Sequence, residues 1–379
     1  MRFIHLSDLH LGKRVNEFSM LEDQEYILDR IFDIICAEKP DAVLICGDVY
    51  DKSVPSAEAV QLFDRFLTRL SSSTDCKILI ISGNHDSAER LSFGASLMER
   101  EGVYISPVYN GEIKSVTLED RWGEVCFYLM PFLKPSHVRR YFDGEIESYT
   151  EAVRTVVDSM EIKDDRRNVL LAHQLVTGAK RCESEDISVG GLDNVDIEAL
   201  ERFDYVALGH LHSAQRCGSD KIRYCGTPLK YSFSEAKDEK SVTVADLYEK
   251  GRLEIREIPL VPMRDMVEIK GSYEELMERS FYGGSSYQTD YTHITLTDEE
   301  DIVDAIGRIR TVYKNLMRLD YDNTRTRAKR VIESAERQEE KSPLELFEEL
   351  YMLQNNQPLS QEQRELVLSL IEEIWEGEE

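Results

Sequence analysis

Along the first 260 or so residues, runs that are apolar on successive positions alternate with stretches in which apolar residues recur every three or four. The runs lie at 2–7, 42–47, 77–82, 125–130, 168–172 and 205–209. Unbroken apolarity over such short lengths marks strands covered on both faces. Between them, Tyr26, Ile27, Ile31, Ile34 and Ile35, then Val60, Phe63, Phe66, Leu67 and Leu70, keep helical spacing. The alternation predicts an α/β domain of layered sheets and helices over residues 1–261.

A smaller β-α-β-α pattern fills 262–320. Strands are expected at 266–269 and 293–296, helices at 273–277 and 302–316, and a loop at 283–286, where Gly283 and Gly284 stand together. This predicts a small α+β domain. Residues 321–341 are polar, with Arg325, Arg327, Lys329 and Arg330 clustered, and read as a linker or an exposed helix face. Two amphipathic helices follow within 342–379. Ser342-Pro343-Leu344-Glu345 and Ser360 with Gln363 have the form of N-terminal capping boxes, and Asn355, Asn356 and Pro358 make the turn. Apolar faces on Leu344, Phe347, Leu350 and Tyr351, and on Leu366, Val367, Leu370, Ile371 and Ile374, exceed what a lone hairpin can bury. The hairpin is expected to dock on a partner.

The chain has 379 residues, of which 41% are hydrophobic, enough for more than one core. No apolar run approaches the roughly 20 residues that span a bilayer, and no leader pattern precedes the first strand, so the expected location is the cytoplasm. Seven cysteines without CxxC spacing read as free thiols. The net charge of −27 argues against unaided nucleic-acid binding. Much of it is local, because residues 339–379 carry twelve acidic side chains against two basic ones. Bound divalent cations would also reverse the field where they sit.

The chemistry-bearing residues stand where the apolar runs end. Asp8 and His10 follow the first run, Asp48 the second, Asn84 and His85 the third, His173 the fifth, and His210 and His212 the sixth. In open α/β sheets ligands bind beyond the carboxyl ends of strands, so residues far apart in sequence converge on one rim. Carboxylates, imidazoles and an amide oxygen together suit a pair of divalent cations of the kind that cleaves phosphate esters. Gly47 and Gly83 let backbone pass beside them without a Cβ. His5, His137 and His293 read as structural or loop residues, and Gly226-Thr227-Pro228 as a turn or a substrate neighbour.

Asp8-Leu9-His10, Gly47-Asp48, Gly83-Asn84-His85-Asp86, His173 and Gly209-His210-Leu211-His212 resemble the calcineurin-like metallophosphoesterase superfamily in order and composition. Tyr224-Cys225-Gly226-Thr227-Pro228, Ser232-Phe233-Ser234-Glu235, the small domain and the terminal hairpin extend the resemblance to SbcD-type nuclease subunits of bacterial SbcC–SbcD complexes. The resemblance implies that Asp8, His10 and His212 hold one metal, Asn84, His173 and His210 the second, and that Asp48 bridges. It implies that His85 is catalytic, protonating the leaving oxygen or steadying the phosphate. Asp51 and Asp86 are expected to orient imidazoles.

A two-metal, Mn2+-dependent nuclease on ends and hairpins of double-stranded DNA is thereby implied. It would be homodimeric, associated with the nucleoid, and partnered by an SbcC-type ATPase through 342–379, with no membrane role. The alternative is a metallophosphatase acting on a phosphomonoester or phosphoprotein; a non-catalytic scaffold fits an intact ligand set poorly. Two departures stand out. Archaeal and eukaryotic relatives carry a histidine soon after Gly-Asp, where this chain reads Val49-Tyr50-Asp51-Lys52. Phosphoprotein phosphatases carry Asp-Arg-Gly there, where this chain has Asp51-Lys52-Ser53.

Overall fold

A computed structural model describes residues 1–180 and 193–327, together with positions 344, 347–348, 351, 358–361, 363–364 and 366–367. Two six-stranded sheets are stacked face to face. The first runs in the order Leu253–Pro259, Ser241–Leu247, Arg2–Leu6, Ala42–Cys46, Lys77–Ile81, Val103–Ile105. The second runs Gln215–Cys217, Ser219–Tyr224, Tyr205–Gly209, Arg167–His173, Gly123–Leu129, Lys114–Asp120.

The continuous apolar runs have a direct cause in this stacking. Phe3, Leu44, Leu79, Phe127, Leu171 and Tyr205 point into the space between the sheets and are fully buried. Their chain neighbours Ile4, Val43 and Ile80 point the other way, onto helices Leu21–Glu38 and Ala57–Ser73. Leu170 and Val206 likewise meet Val153, Val156 and Val157 of helix Tyr149–Ser159. Both faces of each central strand are therefore dry. Burying each large side chain contributes about 1.5–3 kcal/mol.

The central strands of each sheet are parallel, with Cys46 opposite Ile81 in one and Gly209 opposite His173 in the other. Parallel register brings their carboxyl ends to a common rim. All six expected strands form. The strands at 114–120, 219–224, 241–247 and 253–259 carry weaker patterns, which do not announce them in the sequence.

Residues 266–321 form a separate parallel sheet, Met266–Gly271, Tyr291–Leu296 and Asn315–Tyr321, with its own core around Ile269, Leu276, Ile294, Ile309 and Tyr313. One expectation fails here. The stretch expected to be one helix over 302–316 is a short helix, Ala305–Ile309, followed by a third strand that begins at Asn315. Gly307 weakens a long helix, and the pairing of Leu316 with Thr292 captures the segment into the sheet. That strand ends at Tyr321, one residue past the expected domain edge, and Asn323 then caps a turn of helix through Thr326. The small domain is fastened to the large one by Arg264 on Asp23, Tyr291 Oη on Asp23, and Lys230 on Asp265, at 2.7, 2.7 and 2.8 Å.

Most of the terminal hairpin, including Ser342, Pro343, Leu370, Ile371 and Ile374, lies outside the described residues. Its described positions 344, 347–348, 351, 361, 363–364 and 366–367 are helical. The Ser360–Gln363 capping box forms in both directions. Arg364 bonds Glu348 at 2.7 Å and Gln363 bonds the Tyr351 hydroxyl at 3.1 Å, tying the two helices together.

Candidate metal centre

The loops that leave the central strands are laced to one another by backbone. Asp8 N–H donates to Gly47 O at 3.0 Å, His10 N–H to Asp48 O and Leu11 N–H to Val49 O at 2.9 Å. The turns are tight enough that Asp8, His10, Asp48 and His210 all have positive φ, at 52, 44, 47 and 102°. Two glycines permit the approach of the remaining loops. A Cβ on Gly83 would land on the carboxylate and amide of Asp48, and one on Gly209 would land on the carbonyl of Cys46 and the ring of His173.

All eight expected site residues gather on this rim. Asp8, His10 and His212 have donor atoms within 4.8 Å of one another, and so do Asp8, Asp48 and His173. His10 Nε2 lies 3.2 Å from His212 Nε2. Asn84 Oδ1 lies 3.0 Å from both His173 Nε2 and His210 Nδ1. Asp48 Oδ2 stands between the two groups, 3.7 Å from His10 Nε2 and 3.3 Å from His173 Nε2. Donor atoms at about 2.0–2.2 Å from one cation lie roughly 3–3.5 Å apart, and the pairs here stand at 3.0–3.7 Å.

The donor chemistry tests the fit further. His173 Nδ1 faces the carbonyl of Cys46 at 2.8 Å and must donate to it. In a neutral ring, Nε2 is then a bare lone pair, yet it confronts two oxygen acceptors, Asn84 Oδ1 and Asp48 Oδ2. A positive charge has to sit there, either a proton or a metal ion. With a proton in that role, burial lowers the His173 pKa but the facing Asp48 outweighs it and raises it to about 9. Burial would raise the Asp48 carboxyl, and the His173 imidazole instead holds it well below the usual range. Burial pushes Asp8 up to about 6. His10 Nδ1 faces Asp51 Oδ1 at 3.7 Å, which turns its Nε2 toward His212 and Asp48. Imidazole nitrogens packed against one another and against buried carboxylates, as His10 Nε2 and His212 Nε2 are at 3.2 Å, fit divalent cations.

Around this set, His85 is different. Its side chain is 21% exposed where those of Asp48, His10 and His173 are 3% or less. Its amide donates to Asp48 Oδ1 at 2.9 Å and its Nδ1 to the carbonyl of Asp51 at 3.1 Å, while its Nε2 lies 3.9 Å from Asp48 Oδ2.

Over residues 1–214 the chain matches the family described as calcineurin-like phosphoesterase. Residues 262–355 match the SbcD C-terminal family, described as Type 5 capsule protein repressor C-terminal domain. Among curated relatives, the SbcD subunit of the SbcCD nuclease of Staphylococcus epidermidis is 31% identical over 385 residues and covers 100% of both chains. The chain belongs to the SbcD branch of the calcineurin-like phosphoesterases. The corresponding SbcCD nuclease subunit of Staphylococcus saprophyticus is 34% identical over 323 residues, 84% of each chain. A solved dimetal phosphatase from Danio rerio aligns with 69% of this chain and 96% of its own at 12% identity and a TM-score of 0.44.

Some supporting residues of this SbcD-branch phosphoesterase differ from expectation. Asp86 does not orient an imidazole. Its carboxylate accepts the amides of Gly83, Tyr50 and Val49 at 2.9, 2.9 and 3.1 Å, stapling two metal loops together. The Asp51 carboxylate binds Lys13 at 2.8 Å and lies 3.7 Å from His10, and it is its carbonyl that holds His85. His137 sits on the short helix Pro135–Val138 rather than in a loop. Thr227 is buried, donating its amide to His212 O at 3.0 Å and its hydroxyl to Leu229 O at 2.7 Å, so that tract braces the metal loop. His5 bonds Tyr205 and Leu208 inside the core, and His293 pairs with Asp320 in the small domain. Arg325 and Arg327 pair with Asp301 and Asp322 on the surface.

Sequence reasoning missed Glu235 and Lys240. Glu235 is fully buried 3.7 Å from His212 Nδ1 and is paired with Lys240 at 2.5 Å, and Lys240 also donates to His212 O at 2.8 Å. Burial would raise the Glu235 pKa, but His212 and Lys240 lower it to about 2. The only signal was the Ser232–Glu235 stretch, which carried no chemical reason of its own.

Proposed function

We propose that this phosphoesterase is a two-metal DNA nuclease, using Mn2+ and working with an SbcC-type ATPase. The observation that carries the reading is Asp48, one carboxylate shared by two groups of nitrogen and oxygen donors at ligand spacing. Asp8, His10 and His212 would hold one cation, and Asn84, His173 and His210 the other. Bound there, the two cations would activate a water as nucleophile and offset charge on the phosphoryl oxygens. His85 reaches in from the open side, and its Nε2 hands a proton to the leaving oxygen or bonds the scissile phosphate. Glu235 fixes the His212 ring from behind.

The substrate class comes from the relatives, whose names describe nuclease subunits. We assign 3′–5′ exonuclease activity on double-stranded ends, and endonuclease activity at hairpins and blocked ends, in repair, recombination and replication-intermediate processing at the nucleoid. No helix among the described residues is long and apolar enough to cross a membrane. The small domain, attached through Phe233 against His293 at 5.3 Å, caps the rim and helps position DNA. Phe93, Leu97 and Met98, 83, 69 and 38% exposed beside the Asn84–His85 loop, form the homodimer contact. Residues 342–379 grip the ATPase coiled coil, and the ATPase supplies the positive surface that a net charge of −27 denies this chain.

The test supplies Mn2+ and compares an end-labelled DNA hairpin with a phosphomonoester, with and without the ATPase. Preference for the diester supports the reading; preference for the monoester assigns the site to a phosphatase. Leu370→Glu is expected to abolish association with the ATPase while the isolated subunit still cuts short DNA.

A further inference from the structure

Next to the metal rim lies a second feature, outside the ligand set. A cavity of about 290 Å³ opens between the loop at 82–89 and the segment at 131–141, and Asn84 forms part of its wall. Ligand pockets run from about 300 to 1,000 Å³, so this one has room for a single nucleotide rather than a duplex. Its lining holds the rings of Tyr109, Phe132 and Tyr141, the cations Lys134 and Arg140, and the carboxylates Asp86 and Glu89. Tyr109 and Tyr141 meet edge to face at 5.6 Å, with Tyr141 49% exposed at the mouth. Phe132 lies within 17° of parallel to the His210 ring at 6.5 Å, joining the cavity to the metal ligands. Lys134 stands 5.9 Å over Phe132.

The charges are arranged for an anion. Among the described residues Lys134 and Arg140 make no ion pair, although acidic side chains outnumber basic ones in this chain by 73 to 46. The two carboxylates on the wall are already engaged. Asp86 accepts three backbone amides, and Glu89 accepts the Ser87 hydroxyl at 2.9 Å. The Tyr109 hydroxyl is buried without a partner. An exposed tyrosine ring, a half-buried phenylalanine and cations without an ion pair are the parts that single-stranded nucleic acid recognition uses, stacking for the base and charge for the phosphate.

We infer that this cavity is a nucleotide subsite, which stacks the base adjoining the scissile phosphate on Tyr141 and Phe132 and holds the next phosphate with Lys134 and Arg140. The assignment rests on the nuclease reading and adds to it a residue-level source of substrate selection. It predicts that the strand being cut is frayed at the site, since one unpaired nucleotide fits and a base pair does not.

The experiment uses the full chain with Mn2+ and two substrates, a short oligonucleotide and bis(p-nitrophenyl) phosphate, which has no flanking nucleotide. Tyr141→Ala and a Lys134→Ala/Arg140→Ala double variant are each expected to raise KM for the oligonucleotide about tenfold, the low end of what one stacked base contributes. The ratio of kcat/KM values for oligonucleotide over small diester falls by the same factor. Lys134→Arg is expected to restore most of it. If both substrates lose rate together, or if the ratio stays at its wild-type value, the subsite is wrong while the nuclease reading stands. If the wild-type protein cuts the small diester and no DNA, the nuclease reading fails and takes the subsite with it.

Discussion

Glu235 offers the sharpest test of how the centre is supported. It is wholly buried, and its partner Lys240 is 7% exposed. Replacing it with glutamine keeps the shape and removes the charge, which leaves the buried Lys240 ammonium to the more exposed Asp238 carboxylate 4.0 Å away. Breaking a buried pair from one side costs about 3–5 kcal/mol. The carboxyl itself is held at about 2, against an ordinary 4.5, by His212 and Lys240 together. Because His212 shares the carboxylate, the low end of that range, about 3 kcal/mol, applies to the lysine pair. Because the folded-state value is depressed, this stabilisation is complete above the ordinary carboxyl range and fades as pH falls towards 2. In metal-free protein at neutral pH, Glu235→Gln should therefore lower the melting temperature by about 6–12 °C for a domain of this size. Adding Lys240→Met should recover part of that loss, since the stranded charge goes with it. In the same variant, Mn2+ affinity measured by titration calorimetry should fall about 10–100-fold for one cation, because His212 loses the group that fixes its ring. A melting shift under about 2 °C, or a double variant less stable than the single one, would refute the account of the pair.

Other changes probe other parts. Asp48→Asn should weaken both Mn2+ sites in calorimetry, since the shared oxygen loses its charge. His85→Ala should bind Mn2+ with near-normal stoichiometry and turn over about 10²–10⁴-fold more slowly. Gly83→Ala drives a methyl group into the Asp48 carboxylate and should lower both melting temperature and metal affinity; unchanged values in both would mean the loop relaxes freely. Phe93→Glu combined with Leu97→Glu should give a monomer by sedimentation if those side chains form the dimer contact.

The layered fold and the rim were legible because one physical demand produced each signal. Strands dry on both faces must be apolar at every position, so Ala42–Cys46 and Tyr205–Gly209 stand out in the sequence. The rim residues follow those runs directly; parallel register sets Asp48 beside the Asn84 loop in one sheet and His210 beside His173 in the other, and the stacking of the two sheets joins the halves. Strands with one wet face, such as Lys114–Asp120 and Leu253–Pro259, carried half the signal and went unseen. The segment at 302–316 misled because Ile302, Ile306 and Ile309 keep helical spacing, while the pairing that turns Asn315–Tyr321 into a strand depends on the distant Tyr291–Leu296. Asp86 and Glu235 were misjudged or missed for one reason. Their partners are backbone amides and a buried lysine, and nothing in local sequence announces either.

Backbone geometry at the rim carries a consequence for how this signature can vary. Asp8, His10, Asp48 and His210 hold positive φ, a region most side chains avoid but Asp, Asn and His enter several-fold more readily than the rest. The residue types that coordinate a hard cation are thus also the types that tolerate the turns presenting them. Each of these positions answers to two independent filters at once, and a substitution such as glutamate or glutamine, which satisfies the cation but not the turn, is closed to it.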